Sequence, residues 1–173
     1  MFLDESGFLL QPLRRRVWAE RGHTPLQYAW DRHDRITAMA ALSLAPWAAR
    51  LGLYYDLLHH NAHTEDVVRF LRHVHDRLRR PLLLACDRLQ AHRSAVRHLQ
   101  EDCAWLHVEW LPGYAPDLDP VESVWNQSKY GDLANRVPED IFELHETLDQ
   151  LFQDYRHDPA RLNSFFDAMH LSI

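Results

Sequence analysis

The apolar run Leu82–Cys86 constrains the fold of this chain more than any other segment. It contains no charged or hydroxyl side chain, it follows Pro81, and it ends at Asp87. A short continuous apolar run of this kind is typical of an inner strand that is covered on both faces of a sheet. Such a strand requires helices on both sides of the sheet, so the sequence predicts an α/β fold.

Hydrophobic patterns predict the remaining strands and helices. Short apolar runs predict four further strands, near 1–3, 36–42, 51–57 and 105–111. Apolar residues at helical spacing predict helices from Thr64, a plausible N-cap, to the break at Pro81, then over 94–102, 141–155 and 162–169. The first three strands are expected to form an antiparallel meander. This order predicts a mixed five-stranded sheet flanked by helices.

Composition places the chain among ordinary folded proteins. It has 173 residues, of which 46% are hydrophobic and 25% are charged, so a single domain over 1–173 is expected. No apolar stretch approaches the ~20 residues of a membrane span, and no secretory signal is recognisable. The two cysteines, Cys86 and Cys103, form no metal-type pair and indicate a reducing cytoplasm.

The charge distribution is uneven, although the formal net charge is −6. That net charge argues against a protein that coats nucleic acid by bulk electrostatics, because phosphate neutralisation needs clustered Lys and Arg. Local basic clusters do exist, at Arg14, Arg15, Arg16, Arg69, Arg72, Arg77, Arg79 and Arg80. These clusters are compatible with one basic face, and solvated helix surfaces are the alternative explanation.

Three acids occur where an apolar strand ends or a helix begins. Asp87 ends the central apolar run, Asp4 follows the apolar residues of the first strand, and Glu122 opens a helix after a loop stiffened by prolines. Because functional sites in α/β sheets gather beyond the carboxyl ends of the parallel strands, these acids are expected to converge. The alternatives are local: Asp4 and Asp87 as turn residues, and Glu122 in a helix cap with Asp119 and Pro120.

The neighbours of these acids carry further predictions. Asp4 and Glu5 are adjacent on one strand and point to opposite faces, so Asp4 is chosen for the site and Glu5 is expected in solvent or the loop. His92 is expected beside the site as a phosphate contact, and a packed or capping histidine is the alternative. Asn126 and Lys129 lie one and two turns further along the helix face of the third acid.

Three converging carboxylates predict a particular chemistry. They supply hard oxygen ligands, which suit Mg²⁺ or Mn²⁺ rather than Zn²⁺. Two such ions about 4 Å apart activate a water or a 3′-hydroxyl on one side of a phosphodiester and stabilise the leaving oxygen on the other. The expected reaction is phosphoryl transfer on nucleic acid. His59 and His63 stand at i, i+4 but lack the Glu of a zinc-protease motif, so a zinc site is disfavoured.

Four motifs together carry a family resemblance. They are residues 2–8 (Phe-Leu-Asp-Glu-Ser-Gly-Phe), residues 18–25, the strand into Asp87 with His92 behind it, and 111–122 followed by Trp125 and Lys129. These residues resemble the catalytic domain of a DDE transposase of the mariner-like superfamily, specifically its bacterial insertion-sequence branch. Thirty-four residues separate Asp87 from Glu122, the separation that this superfamily favours.

The resemblance implies both a fold and an activity. The fold would be ribonuclease H-like, with Asp4, Asp87 and Glu122 as the catalytic, metal-binding triad for two Mg²⁺ or Mn²⁺ ions. The activity would be cut-and-paste DNA transposition through strand cleavage and strand transfer on transposon ends and target DNA, by a homodimer. The segment near 14–25 corresponds to a family segment that contacts DNA or the partner subunit. The expected DNA contacts are Arg14, Arg15, Arg16, His92, Asn126 and Lys129.

The chain also departs from the family pattern. Family members often carry Asn where this chain has Arg88, and often Asn where it has Asp119, and Arg88 is expected to affect how Asp87 is oriented. No helix-turn-helix module precedes the first strand, so recognition of transposon ends is expected from a separate helix-turn-helix frame product. The alternatives are a truncated remnant that binds DNA or dimerises, and a ribonuclease H-like nuclease that cuts without joining.

Overall fold

The computed structural model describes residues 1–11, 13–26, 34–45, 50–113 and 116–168. Within these ranges the chain forms one sheet and five α-helices. The strands are β1 (Phe2–Leu9), β2 (Arg35–Ala45), β3 (Arg50–Leu58), β4 (Leu82–Cys86) and β5 (Leu106–Trp110). The helices are α1 (Thr64–Leu78), α2 (Gln90–Asp102), α3 (Val121–Asn126), α4 (Ile141–Arg156) and α5 (Pro159–Asp167). Residues 46 and 47 of the predicted turn, and Met169 of the last predicted helix, lie outside the described residues.

The sheet has the order β3-β2-β1-β4-β5. β1, β2 and β3 pair antiparallel as the predicted meander, while β4 is parallel to both β1 and β5. The predicted mixed five-stranded sheet flanked by helices is therefore confirmed. In the parallel pair, Leu3 lies opposite Cys86, so Asp4 and Asp87 directly follow paired positions on neighbouring strands.

Two hydrophobic cores lie on opposite faces of the sheet. On one face, side chains of β1, β2 and β3 pack against α3, α4 and α5. In this core the rings of Phe8, Trp125 and Phe152 contact one another edge to face, at centroid distances of 6.0–6.1 Å. The other set, with β4 and β5, packs against α1 and α2 around residues such as Leu71 and Leu99. Because successive residues of a strand face opposite ways, β1 contributes alternately to both cores.

Coverage of β4 is less complete than predicted. Leu82, Leu84 and Cys86 are buried against α1 and α2, but the side chain of Leu83 is 58% exposed. The reason is the position of the other helix layer, since the core beneath α3, α4 and α5 is built from β1, β2 and β3 residues alone. The prediction of a central strand covered on both faces is therefore wrong for this face of β4.

The helix ends lie close to their predicted positions. His63, one residue before the predicted Thr64, caps α1, and the Asp66 carboxylate accepts a hydrogen bond from the His63 backbone N–H at 3.0 Å. At the other end Arg79 adopts a left-handed conformation with φ 50°, which ends α1 before Pro81. α2 begins at Gln90, four residues earlier than predicted. Within the described residues, no helix has both the length and the apolar character needed to cross a membrane.

Candidate active site

Asp4 lies on β1, with its side chain on the face of the sheet that α3 covers. Its Oδ2 atom accepts a hydrogen bond of 2.8 Å from the indole Nε1–H of Trp125. Burial raises the pKa of Asp4 to about 6; the Trp125 hydrogen bond opposes this shift, and the charges of Glu5 and Glu122 add to it. Asp4 is therefore a partly buried carboxylate whose only side-chain donor is neutral.

Asp87 follows the last residue of β4 and is held on one side only. Its Oδ1 atom accepts hydrogen bonds from the Leu89 backbone N–H at 3.0 Å and from His92 Nδ1 at 2.6 Å. Burial alone would raise the pKa of Asp87, but the hydrogen bonds from His92 and Leu89 outweigh it and lower the pKa. The side chain remains 45% exposed, so Asp87 still faces the surface.

Glu122 and Asp119 lie at the start of α3. The Asp119 Oδ1 atom accepts a hydrogen bond of 3.0 Å from the Val121 backbone N–H, while Glu122 occupies the first turn and is half-buried. Burial raises the pKa of Asp119 to about 7, and the charges of Asp4, Glu122 and Asp87 raise it further. The N-cap of α3 is Pro120 and not Asp119, so the predicted cap is wrong by one residue. Asp119 instead brings a fourth carboxylate near the three predicted acids.

The buried thiol of Cys86, the last residue of β4, lies near several of these acids. Burial raises the pKa of this thiol to about 12, and the negative charges of Asp87, Glu5, Asp119 and Asp4 add to the shift. Acids from β1, from the end of β4 and from the loop before α3 therefore surround the last residue of β4.

Glu5 is not in solvent, contrary to the prediction. Its side chain is 9% exposed, and its Oε1 atom lies 2.7 Å from His92 Nε2. The second oxygen, Oε2, is buried and has no hydrogen-bond partner among the described residues. The physical reason is that the face of β1 opposite Asp4 is covered by the core of α1 and α2, so a side chain on that face cannot point outward.

His92 bridges two carboxylates instead of facing outward. Its ring is fully buried, with Nδ1 on Asp87 and Nε2 on Glu5. Ionised carboxylates only accept hydrogen bonds, so both ring nitrogens donate and the ring is an imidazolium. Burial would lower the pKa of His92, but the hydrogen bonds and charges of Asp87 and Glu5 raise it to about 10. This burial contradicts the predicted direct phosphate contact by His92.

Lys129 also turns toward the sheet. Its Nζ atom donates a hydrogen bond of 2.6 Å to Ser6 Oγ and lies 5.1 Å from the centroid of the Phe8 ring. Burial lowers the pKa of Lys129, and the negative charges of Glu122 and Asp4 oppose that shift. Lys129 therefore lies within electrostatic reach of two of the acids. Asn126 is exposed on the surface of α3, as predicted for a polar stripe.

The predicted basic segment is exposed on the protein surface. Arg14, Arg15 and Arg16 are all exposed. The backbone N–H of Arg15 donates to Asn135 Oδ1 at 2.8 Å, and its guanidinium donates to the Tyr130 carbonyl. Arg88 is exposed and makes no hydrogen bond or ion pair with the described part of the chain, so Asp87 is oriented by His92 and Leu89 instead.

The carboxylates at this edge have the chemistry that suits a divalent cation. No three His, Cys, Asp or Glu side chains among the described residues already stand as ligands around one point. However, burial and the charges of nearby carboxylates raise the pKa values of Asp4 and Asp119. A bound cation would offset both effects by stabilising the ionised carboxylates. Their hard carboxylate oxygens match Mg²⁺ or Mn²⁺.

Comparison with known proteins identifies the family. Residues 1–145 match the family described as DDE superfamily endonuclease. The chain belongs to this family. No curated protein sequence matches the chain. The resemblance to DDE transposases predicted from the motifs is thereby confirmed at the level of the family.

Solved structures with the same fold are transposases. The Mos1 mariner paired-end complex with Mn aligns with 98% of this chain and 51% of its own, at 16% identity and a TM-score of 0.67. The Mos1 strand transfer complex gives 17% identity and a TM-score of 0.64 over 98% and 50% of the two chains. The catalytic domain of Mos1 mariner transposase gives 12% identity and 0.59 over 98% and 75%.

These matches confirm the predicted ribonuclease H-like fold. Identities below one-fifth establish the shared fold and no more than that. The chain spans about half the length of the transposase chains in the Mos1 complexes.

Proposed function

We propose that this chain is the catalytic domain of a transposase that cuts and joins DNA strands with divalent metal ions. The observation that carries the proposal is the placement of three acids from separate elements. Asp4 and Asp87 directly follow the paired residues Leu3 and Cys86 on neighbouring strands. Asp4 also accepts a hydrogen bond from Trp125, which lies on the same helix as Glu122. A membership in the DDE endonuclease family and the fold of Mos1 transposase support the same reaction class. Together they favour phosphoryl transfer over any other use of an acidic edge.

Asp4, Asp87 and Glu122 would hold the metal, and Asp119 stands close enough to add negative charge. Bound Mg²⁺ or Mn²⁺ supplies a Lewis acid that activates the attacking oxygen and stabilises the leaving one. Neighbouring Mos1 structures were obtained with Mn and with Mg. Two ions are proposed here because phosphoryl transfer of this kind uses one on each side of the phosphodiester.

The protein's own residues prepare the acids for this task. Trp125 is fixed by ring contacts with Phe8 and Phe152, and it holds one oxygen of Asp4 through a neutral donor, which leaves the carboxylate charge uncompensated. The hydrogen bond from the Val121 backbone N–H to the Asp119 carboxylate fixes the first turn of α3 and so the position of Glu122. Preorganised ligands of this kind lower the cost of forming the loaded site.

DNA contacts are proposed for Arg14, Arg15 and Arg16, which are exposed, and for Asn126 on α3. Lys129 is kept as a proposed contact at the site itself, because its ammonium lies near two of the acids. The similar Mos1 structures include a paired-end complex with the left transposon end and a strand transfer complex. Transposon ends and target DNA are therefore the proposed substrates of this chain. His92 is dropped from the proposed DNA contacts because its ring is buried.

The remaining proposals concern source and partners. The motifs favour a bacterial insertion sequence, a cytoplasmic protein and a homodimer in the active complex. A separate helix-turn-helix product is proposed as the partner that reads the transposon ends. None of these is needed for the chemistry at the acidic edge.

The test is a Mn²⁺-dependent nicking and joining assay with precut DNA ends. We expect wild-type protein to nick and join, and Asp87→Ala to fall to the background rate because it removes a proposed metal ligand. Asp117→Ala is the matched control, since Asp117 is an exposed aspartate on the same loop as Asp119. Equal activity of Asp87→Ala and Asp117→Ala would refute the assignment.

The same assay separates the two alternatives. Nicking without joining would favour a ribonuclease H-like nuclease. DNA binding without either reaction, in the presence of Mn²⁺ and of a helix-turn-helix partner, would favour a non-catalytic fragment. Both outcomes would overturn the proposed strand transfer.

A further inference from the structure

We propose that Glu5 and His92 form a positioning pair that orients Asp87 for metal binding, an inference that rests on the proposed function. Neither residue faces the surface, so neither can touch DNA. The pair acts through hydrogen bonds, in which the His92 ring donates from Nε2 to Glu5 and from Nδ1 to Asp87. It is a support for a ligand and not a ligand itself.

The hydrogen bonds of Asp87 divide its carboxylate into two halves. Oδ1 accepts both from His92 Nδ1 at 2.6 Å and from the Leu89 N–H at 3.0 Å. With one oxygen held by two donors, the carboxylate plane is fixed and Oδ2 is left for a cation. Ligating carboxylates in metal sites are commonly hydrogen-bonded in this way.

Glu5 fixes the ring that holds Asp87. Without a partner at Nε2 the imidazole could rotate about its Cβ–Cγ bond, and the hydrogen bond to Asp87 would lengthen. The 2.7 Å contact between Glu5 Oε1 and Nε2 removes that freedom. Charge-assisted bonds of this length are among the strongest in proteins, so the three residues are held as one unit.

The unpaired Glu5 oxygen argues against a purely structural role. Oε2 is buried and has no hydrogen-bond partner within the part of the chain that the structure describes. A buried carboxylate that served stability alone would have both oxygens satisfied, because an unmet acceptor in a protein interior is costly. Glu5 is therefore retained for what its other oxygen does to His92.

Strand alternation explains how one strand supplies both functions. Asp4 points from β1 to the side of α3 and binds Trp125, whereas Glu5 points to the side of α2 and reaches His92. β1 therefore contributes Asp4 to the site directly. Through His92 of α2 it also positions a second acid, Asp87, which follows β4. The adjacent Asp-Glu pair of the sequence is explained without placing both side chains in one site.

The test measures Mn²⁺ affinity, through the electron paramagnetic resonance signal of free Mn²⁺, in protein without DNA. We expect Glu5→Gln and His92→Gln each to weaken binding by about tenfold or more, the usual effect of losing a hydrogen-bond partner of a metal ligand. The matched controls are Glu109→Gln and His98→Gln, which change exposed residues of β5 and α2. These controls should bind as the wild type does.

A double-mutant cycle distinguishes positioning from independent effects. If Glu5 acts through His92, the double variant binds Mn²⁺ no more weakly than His92→Gln alone. If Glu5 were itself a ligand or merely stabilised the fold, the two losses would add. Additive losses would overturn the inference, and so would control-like affinity of both single variants.

Thermal unfolding and circular dichroism accompany each measurement. Glu5→Gln keeps the shape of the side chain, so it carries the test if His92→Gln does not fold. Asp87→Asn separates the two levels of inference. If wild-type protein binds no Mn²⁺, or if Asp87→Asn leaves its affinity unchanged, the proposed function fails; if only Glu5 and His92 behave as the controls, the positioning pair fails.

Discussion

Buried acids at two places in this molecule are treated in opposite ways. At the start of α1, Asp66 accepts from the His63 N–H at 3.0 Å and from the Arg69 guanidinium at 2.9 Å. Burial alone would raise the pKa of Asp66, but these two partners lower it. At the sheet edge, Asp4 has a neutral donor, and burial raises its pKa to about 6.

The difference shows which acids the fold uses for its own stability. Asp66 is ionised, paired with a cation, and part of a helix cap, so its charge favours the folded state. Asp4 and Asp119 lie among other acids, and their ionised forms are disfavoured in the metal-free protein. A carboxylate that is kept near others without compensation is suited to bind a cation from outside.

The largest expected effect is stabilisation of the folded protein by a divalent cation bound at the proposed site. Adding Mn²⁺ at about a hundred times its dissociation constant should raise the free energy of unfolding by about 2.7 kcal/mol, because the ion binds only the folded protein. Urea unfolding at pH 7.5 with and without Mn²⁺ measures this. Asp4→Asn should lose most of the gain, whereas Asp66→Asn should keep it. An equal gain in both variants would remove the distinction between the two regions.

The next effect is a gain in stability from removing a charge at the edge. Without metal, Asp4→Asn should unfold with a free energy about 1–2 kcal/mol higher than wild type above pH 7, because ionised Asp4 is disfavoured by burial. The sign follows from a folded pKa raised above the unfolded one: wild type loses stability as the pH rises from about 4 through about 6. Urea titrations at pH 4 and pH 8 test this.

A gain that was equal at pH 4 and pH 8 would show that the charge of Asp4 is not the cause. Ser6→Ala, on the same face of β1, is a suitable control because it removes no acid. It should give no gain that grows with pH.

The smallest effect is the loss of the cap at α1. Asp66→Asn should cost about 1 kcal/mol at pH 7, because it removes the ion pair with Arg69 and weakens the bond to His63. The folded pKa of Asp66 is lowered, so this stability is present above the unfolded pKa and is lost as the pH falls below it. Comparing urea unfolding at pH 7 and pH 3 measures the loss.

The cost of Asp66→Asn should therefore shrink toward zero at pH 3, whereas the effect of Asp4→Asn appears only as the pH rises. A cost that persisted unchanged at pH 3 would mean that Asp66 acts through packing and not through charge. Glu65→Gln, an exposed acid in the same first turn, should change little at either pH.

The sequence predicted the strands, the helices and three of the acids, because these depend on local patterns. Apolar runs, helical spacing and a proline-rich loop are visible within about ten residues. The exposure of Leu83 could not be predicted, since it depends on how far α3, α4 and α5 extend across the sheet. The start of α2 was also misplaced, because Gln90 and Ala91 continue the helix without a clear capping residue.

The candidate site was predicted less completely than the fold. The presence of Asp119 among the acids had a signal, since it stands three residues before Glu122 in the stiff loop. The burial of Glu5 had only a weak signal in the sequence. The alternation of side chains along a strand places Glu5 on the face opposite Asp4, but it does not tell whether helices cover that face. His92 was noticed, yet its burial between two acids depends on α2 packing against β1.

By itself the sequence determined the α/β order of elements, with Asp87 directly after β4 and Glu122 at the start of α3, because hydrophobic periodicity and turn residues act over short distances. The predicted end of the first strand before Asp4 was wrong, since β1 continues to Leu9 through its pairing with β2. Only the tertiary structure decided the partners of those acids. The bond from Trp125 to Asp4 spans 121 residues and the one between His92 and Glu5 spans 87, and both depend on side-chain directions where two cores meet one strand. Those contacts distinguish the acids proposed to bind a metal from Glu5, which is proposed to orient Asp87 through His92.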